Sequence, residues 1–116
     1  MESNDVVTQL TQWAKKYQID DILNILRNQN DAKAKEALLS LKSLDLSHKR
    51  LDSIPSCLFE LSSLETLNLS LNQLTELPHE ITKLKKLKSL DISWNHITHA
   101  IDFLSSDIKI KKGWNR

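Results

Sequence analysis

The hydrophobic positions between residues 41 and 104 fit neither the 3.6-residue period of a helix nor the alternation of a strand. They recur with a period of 23 residues, because Leu41, Leu64 and Leu87 each begin the same series of apolar positions. A fixed period of about 20 to 29 residues is typical of a solenoid. We therefore expect each copy to form one coil of a stack, with its apolar side chains turned inward.

The first two copies agree at every apolar position, whereas the third diverges in its second half. The second copy shows the full series, which is Leu64, Leu67, Leu69, Leu74, Leu77, Pro78, Ile81 and Leu84. In the third copy, Ala100 stands where a large residue is expected. The apolar–polar–apolar centres at 44–46, 67–69 and 90–92 predict short strands of a parallel sheet, with the apolar pair facing the core.

This pattern resembles the leucine-rich repeat family, whose consensus is LxxLxLxxNxLxxLPxxLxxLxx. The 23-residue unit with Leu-Pro is similar to intracellular repeats of the Ras-regulator type, and the helical lead-in, "QWAKKYQI", is most similar to small bacterial members. The resemblance implies an α/β fold, a short solenoid of parallel strands with a helical N-terminal cap. It also implies that Asn72 and Asn95 satisfy backbone groups between coils, whereas the first copy has Lys49 there, as a coil in contact with a cap would.

The first forty residues predict three short amphipathic helices. Their apolar stripes are Val6, Leu10, Trp13, Ala14 and Tyr17; Ile19, Ile22, Leu23 and Leu26; and Ala34, Ala37, Leu38 and Leu41. Each stripe is short and needs a surface to bury against. We therefore predict that residues 1–40 cap the first coil and that Trp13 belongs to the core. Residues 41–107 would then form the repeats, within the same structural domain.

Residues 108–116 lack the repeat spacing and complete that domain as a basic closing segment. Ile108 and Ile110 alternate with lysines, and lysines on an edge strand discourage pairing with other chains. The pattern leaves a flexible tail as the alternative, but it favours a closing strand, with Phe103 and Trp114 covering the last coil.

Composition and charge narrow the class of protein. The chain has 116 residues, of which 27% are charged and 40% hydrophobic, as in soluble globular proteins. The first residues, "MESNDVVTQL", lack the basic and apolar regions of a secretory signal, and no apolar run is long enough for a membrane span. A single cysteine, Cys57, permits no intramolecular disulfide. Together these features favour a reducing, cytoplasmic setting.

Enzymatic motifs are sparse. His96 and His99 have an HxxH spacing, but no further ligand completes a metal set. Cys57 lies in an inward-facing stretch, which favours a structural thiol over a nucleophile. The sequence contains no glycine-rich phosphate loop, serine elbow or paired catalytic carboxylates. We therefore predict a non-enzymatic protein that uses no cofactor or metal.

A candidate binding surface follows from the family geometry, which places the outward strand and turn residues on a concave face. Its columns are Ser43, Thr66 and Ser89; Asp45, Asn68 and Asp91; Ser47, Ser70 and Ser93; His48, Leu71 and Trp94; and Arg50, Gln73 and His96. Leu71 and Trp94 have no evident core role, and exposed aromatic residues among polar ones are typical of binding hot spots. The alternative is that Trp94 folds down on its neighbours.

From this surface we predict a protein-interaction module whose partner, of unknown identity, is another protein. Trp94, Leu71 and His48 would anchor the partner, and the neighbouring polar residues would tune specificity. The complete predicted set is Asp45, His48, Arg50, Asn68, Leu71, Gln73, Asp91, Trp94 and His96.

Two other functions have weaker support in the sequence. The first is self-assembly into a homo-oligomer through the open ends of a short stack. The second is nucleic acid binding through Lys83, Lys85, Lys86 and Lys88 together with the C-terminal lysines and Trp114. Residues 108–116 carry +4, but the whole chain carries only +1. We therefore favour solubility and edge protection as the role of these lysines.

Overall fold

The structure, a computed structural model, describes residues 6–27, 31–98 and 103–113. Three helices precede a four-stranded sheet within this part of the chain. The elements are α1 (Val6–Tyr17), α2 (Asp20–Arg27), α3 (Asp31–Leu39), β1 (Ser43–Asp45), β2 (Thr66–Asn68), β3 (Ser89–Asp91) and β4 (Lys109–Lys111). Two short 3-10 helices, Ser56–Glu60 and His79–Lys83, lie on the return paths between strands.

The sheet has the order β1-β2-β3-β4, and every neighbouring pair of strands is parallel. Leu44 is level with Leu67, and Leu67 is level with Leu90, so the first three strands are offset by one 23-residue period. The prediction of α/β structure with parallel strands is therefore confirmed. Because the register follows the repeat, equivalent residues of successive copies form straight rows across the sheet.

A single hydrophobic cluster runs from the three helices through the third copy. It includes Leu10 of α1, Leu38 of α3, and the inward-facing leucines of the first three strands, all almost completely buried. Trp13 is only half-buried, because its ring lies at the edge of this cluster and tilts against Tyr17. Phe59 is also buried, although its position is not part of the repeat pattern.

Polar contacts join the cap to the first coil. Gln18 has φ 59°, and the N–H of Ile19 donates to Ala14 O at 2.9 Å, which ends α1 in a Schellman motif. Lys49 Nζ donates to Gln18 O at 3.0 Å. The N–H of Asp45, on the outer edge of β1, donates to Asp21 Oδ2 at 2.9 Å. Lys49, which replaces the asparagine of the other copies, therefore contacts the helical segment that precedes the sheet.

The two asparagines of the repeat satisfy backbone groups of adjacent coils. Asn72 Oδ1 accepts hydrogen bonds from the N–H groups of Lys49 and Leu51, both at 3.0 Å, and its Nδ2 donates to Leu46 O and Leu69 O at 2.9 Å. Asn95 repeats the arrangement one coil later, and both side chains are buried. The role implied by the family resemblance is confirmed, and it explains how the turns form with so little glycine.

Part of the predicted closing segment, Lys109–Lys111, forms a strand. In β4, Ile110 is level with Leu90 and half-buried, whereas Lys109 and Lys111 are exposed. Phe103 packs against the core and its ring stacks on His79 at a centroid distance of 4.0 Å. The predicted contribution of Trp114 lies outside the described residues, as does Ala100.

Candidate functional site

The outward side chains of the four strands form two parallel rows, which we call the sheet face. The register aligns Ser43, Thr66, Ser89 and Lys109 in one row and Asp45, Asn68, Asp91 and Lys111 in the other. Neighbouring strands in a sheet are about 4.8 Å apart, so each row spans about 14 Å from β1 to β4. The strands are short and the apolar residue of each is buried, so the sheet face is polar throughout.

The carboxylate and amide side chains of the second row also hold the turns that follow the strands. Asp45 Oδ1 accepts from the N–H of Ser47 at 2.9 Å and from its Oγ at 2.6 Å. Asn68 bonds Ser70 in the same way at 3.0 and 2.7 Å, and Asp91 bonds Ser93 at 3.0 and 2.6 Å. Because the Ser47 hydroxyl and N–H favour the ionised carboxyl, the pKa of Asp45 is lowered.

The prediction that Ser47, Ser70 and Ser93 line the binding surface is wrong. Ser70 and Ser93 are only 7% and 5% exposed, and Ser47 is half-buried. Their hydroxyls turn back to the preceding aspartate or asparagine side chain. These serines therefore support the turns and do not line a binding surface.

The next residues, His48, Leu71 and Trp94, form an exposed ridge at the carboxyl ends of the strands. Leu71 is 48% exposed and Trp94 is 52% exposed, and the imidazole of His48 is also on the surface. The N–H of His48 donates to Ser70 O and that of Leu71 to Ser93 O, both at 3.0 Å. Because these bonds continue the pairing between coils past the strands, the ridge has a fixed position relative to the sheet face.

All three ridge residues have left-handed backbone conformations. Their φ angles are 57° for His48, 58° for Leu71 and 58° for Trp94. A residue with a Cβ pays about 1–2 kcal/mol in this region, and a bulky residue there is a genuine outlier. The sequence gives the position, directly before Asn72 and Asn95 in the second and third copies and before Lys49 in the first. It does not reveal the left-handed conformation, because no glycine marks these turns.

Arg50, Gln73 and His96 form an exposed row next to the ridge, as predicted. The N–H of Gln73 donates to Leu51 O and that of His96 to Leu74 O, each at 2.8 Å. Arg50 also has a left-handed backbone, with φ 60°. The nine predicted site residues thus occupy three rows that the coil-to-coil hydrogen bonds hold side by side.

The lysines of the alternative nucleic acid site, Lys83 to Lys88 and those of β4, form only part of the predicted basic surface. Lys83 lies 3.8 Å from Glu60, and Lys88 lies 3.7 Å from Glu65, so two of its ammonium groups face carboxylates. The N–H of Lys109 donates to Lys88 O at 2.9 Å, which brings the two lysine groups of the chain together in the backbone. Because Glu60 and Glu65 lie close to two of these lysines, the surface is not uniformly positive.

The remaining chemistry-bearing residues give no catalytic arrangement within the described ranges. Cys57 is buried, and burial raises the pKa of its thiol, which suits a structural role. No three histidine, cysteine, aspartate or glutamate side chains among those described are grouped to hold a metal ion, and His99 lies outside these residues. None of the described helices has the length and hydropathy needed to cross a membrane.

Sequence reasoning missed two contributors to this part of the surface. Asp21 of α2 lies beside Asp45, 24 residues further along the chain, and nothing in the local pattern of α2 signals the contact. Lys109 and Lys111 extend the two rows of the sheet face, which only the parallel pairing of β4 with β3 reveals. Alternation of isoleucine and lysine was the available signal for β4, but it does not specify the partner strand.

Comparison with known proteins supports the same reading of the repeats. No curated protein matches the chain. The family model described as leucine rich repeat matches residues 40–97, half of the chain, which include β1, β2, β3 and both buried asparagines. Together with the 23-residue register of the sheet, this match shows that the chain belongs to the leucine-rich repeat family.

Proposed function

We propose that the chain is a non-enzymatic protein-interaction module that binds its partner on the concave face formed by the sheet face, the ridge and the row beside it. Leucine-rich repeat domains generally mediate protein–protein interaction and are typically non-enzymatic. The observation that carries the proposal is the ridge, where Leu71 and Trp94 are half-exposed on left-handed backbone.

The ridge supports the binding proposal because leucine and tryptophan are unfavourable for stability at exposed positions with a left-handed backbone. Asparagine or glycine would relax a left-handed turn, and a polar residue would avoid exposing apolar surface. Backbone strain of this kind is concentrated at functional sites, and large aromatic side chains dominate binding hot spots. Leu71 and Trp94 are therefore best explained as partner contacts, with His48 beside them.

The family resemblance extends the proposal to architecture and location. We propose a short solenoid of the 23-residue intracellular type, most like those of small bacterial leucine-rich repeat proteins, that works in the cytoplasm. Residues 1–40, 41–107 and 108–116 would act as the cap, repeats and closing segment of one domain. The continuous hydrophobic cluster from α1 to the third coil supports this unity.

A quantitative pull-down from native lysate tests the binding face. The double variant Leu71→Ala, Trp94→Ala should recover at least about tenfold less partner than the wild type, because hot-spot residues cost about 2 kcal/mol or more. Its melting temperature should stay close to that of the wild type, because both side chains are half-exposed.

The matched control is Lys85→Ala, Lys86→Ala, which removes two exposed side chains away from the ridge. This control should recover as much partner as the wild type. Equal recovery by the ridge variant and the wild type would contradict the proposal, whereas a loss confined to the lysine variant would favour the basic site.

Self-assembly is the second candidate, because β4 ends the described sheet with an edge strand. Lys109 and Lys111 on that strand disfavour pairing with a second copy, so we expect a monomer. Light scattering on the purified chain at high concentration decides the question, since a stable dimer would support self-assembly.

A further inference from the structure

We propose that the partner presents a protein segment with acidic side chains against Lys109 and Lys111 and an apolar side chain against Leu71 and Trp94. This inference rests on the proposed function and specifies the partner's chemistry. It follows from the order of charges across the sheet face, which the register of the four strands fixes.

The sheet face is electrically polar along its length. At the β1 end, Asp45 is exposed and the carboxylate of Asp21 lies against its N–H. Lys49 is also close enough for its charge to act on Asp45, but its ammonium group is bonded to Gln18 O. β2 contributes the uncharged side chains of Thr66 and Asn68. At the other end, β4 contributes two ammonium groups, on Lys109 and Lys111, about 14 Å from Asp45 by strand spacing.

The two β4 lysines are available to a partner. Both are exposed, and no ion pair joins either of them to a carboxylate of the residues that the structure describes. Asp91 is the acid nearest to Lys111 in the register, but its Oδ1 already accepts two hydrogen bonds from Ser93. One half-buried carboxylate thus faces two ammonium groups, which leaves net positive charge on this strand.

The lysines and the ridge are close enough to contact one segment. Gly113, two residues after Lys111, packs so tightly on Ser93 that an added Cβ would lie 3.1 Å from the Ser93 Cβ. Ser93 directly precedes Trp94, so the chain leaving β4 passes beside the base of the ridge. A segment that places an apolar side chain on Trp94 can therefore place its acidic residues over β4.

The same polarity orients the partner. A segment with acidic residues over β4 should have a neutral or basic residue over Asp45 and Asp21, because the reversed orientation sets like charges together. The carboxylates of Asp45 and Asp91 on this face, and of Asp21 beside it, also disfavour a nucleic acid, whose phosphates would meet negative charge at β1 and β3.

A random peptide library of 16-residue segments, selected on the purified full chain, tests the inference. We expect enriched peptides to group aspartate or glutamate on one side of large apolar residues. Labelled copies of these peptides are then titrated in fluorescence polarisation against three proteins. These are the wild type, the double variant Lys109→Glu, Lys111→Glu, and the control double variant Lys85→Glu, Lys86→Glu. Charge reversal at the two β4 lysines should raise the dissociation constant of the peptides at least tenfold. The dissociation constant for the control variant should stay within twofold of the wild-type value.

Charge-swapped peptides provide the complementary readout. Replacing the acidic residues of an enriched peptide by lysine should restore binding to Lys109→Glu, Lys111→Glu and abolish it on the wild type. If circular dichroism shows that charge reversal disturbs the fold, Lys109→Ser, Lys111→Ser is titrated instead, with a smaller loss expected in the same direction.

The ridge variant separates the two levels of the proposal. Peptides that require Leu71 and Trp94 but show no acidic bias and no response to the β4 changes would overturn the charge inference and leave the proposed function standing. Peptides that bind the Leu71→Ala, Trp94→Ala variant as well as the wild type would overturn the proposed function itself. Failure to enrich any peptide, or displacement of the peptides by a single-stranded oligonucleotide, would also overturn the inference.

Discussion

Leu71 has a left-handed backbone conformation, which is unfavourable for residues with a Cβ, and its side chain is too exposed to add much to the hydrophobic core. Its φ is 58° and about half of its surface is exposed. In most turns of this shape a glycine or asparagine removes the strain. At the scale of the residue, the ridge therefore gives up local stability, which the proposed binding role would explain.

Backbone strain at Leu71 predicts that an asparagine variant is more stable than a valine variant. If hydrophobicity decided the stability, the order of the two variants would be the reverse. Leu71→Asn should leave the free energy of unfolding within about 0.5 kcal/mol of the wild type, because asparagine tolerates a left-handed backbone. Leu71→Val should lower it by about 1 kcal/mol, because β-branching crowds this conformation. Urea denaturation measures both, and a valine variant more stable than the asparagine variant would contradict the assignment.

Asp45 gives a second prediction at this scale, in the dependence of stability on pH. Its pKa is lowered in the folded state by the Ser47 hydrogen bonds, whereas an unfolded aspartate titrates near about 4. The stabilisation is therefore complete above about pH 4 and is lost as the pH falls through the folded pKa. Asp45→Asn keeps the Oδ1 acceptor, as Asn68 does with Ser70, but does not titrate.

We therefore expect the stability of the wild type relative to Asp45→Asn to fall as the pH is lowered below about 4. Chemical denaturation at a series of pH values measures this difference. A difference that stays constant from neutral pH to strongly acidic pH would show that Asp45 has the same pKa in the folded and unfolded chain.

At the scale of elements, the cap and the first strand are joined by a carboxylate. Asp21 accepts the outward N–H of Asp45 at 2.9 Å and so occupies a donor on the outer edge of β1. Lys49 adds a second bond, to Gln18 O. Because Asp21 occupies an edge donor of β1 and β4 carries two lysines, both edges of the described sheet have features that disfavour pairing with another strand.

The first turn of α2 contains a matched pair for testing this contact. Asp20 and Asp21 share the favourable position at the helix N-terminus, but Asp21 alone of the two has the bond to Asp45. Asp21→Ala should lower the free energy of unfolding by about 1 kcal/mol more than Asp20→Ala, which is the usual value of one hydrogen bond. If the two variants lost the same free energy of unfolding, Asp21 would stabilise the fold only through its position at the helix N-terminus and not through its bond to Asp45.

At the scale of the whole molecule, the apolar cluster extends from the helices through the three repeat copies, and Ile110 of β4 packs against it. Each coil pairs only with its neighbours, and short repeat arrays depend on their terminal units for stability. The three parts should therefore unfold together and not one after another.

Leu10 of α1, which is completely buried, provides the test of this cooperativity. Leu10→Ala should cost about 2–5 kcal/mol, as for other core leucines. If the chain is one cooperative unit, amide hydrogen exchange should show the same loss of protection in β3 as in α1. A loss limited to the helices would mean that the cap opens by itself and that the repeats fold without it.

The sequence by itself determined the features that depend on residues close together in each copy. The 23-residue period fixed the strands, their parallel pairing and the inward leucines, because a repeated unit must bury the same face against each neighbour. The family resemblance added the role of Asn72 and Asn95, whose amide groups both accept and donate hydrogen bonds in the turns.

The tertiary structure alone decided which outward residues form a usable surface. It buried Ser70 and Ser93 under their own turns, placed Asp21 against β1, and added the lysines of β4 to the sheet face. It also set the left-handed backbone beneath Leu71 and Trp94. Asp21 and the β4 lysines reach this surface through a hydrogen bond and a strand pairing between elements distant in the chain, which a local pattern of apolar and polar residues cannot specify. The burial of Ser70 and Ser93 depends on the geometry of short-range hydrogen bonds to Asn68 and Asp91, which residue type alone does not predict.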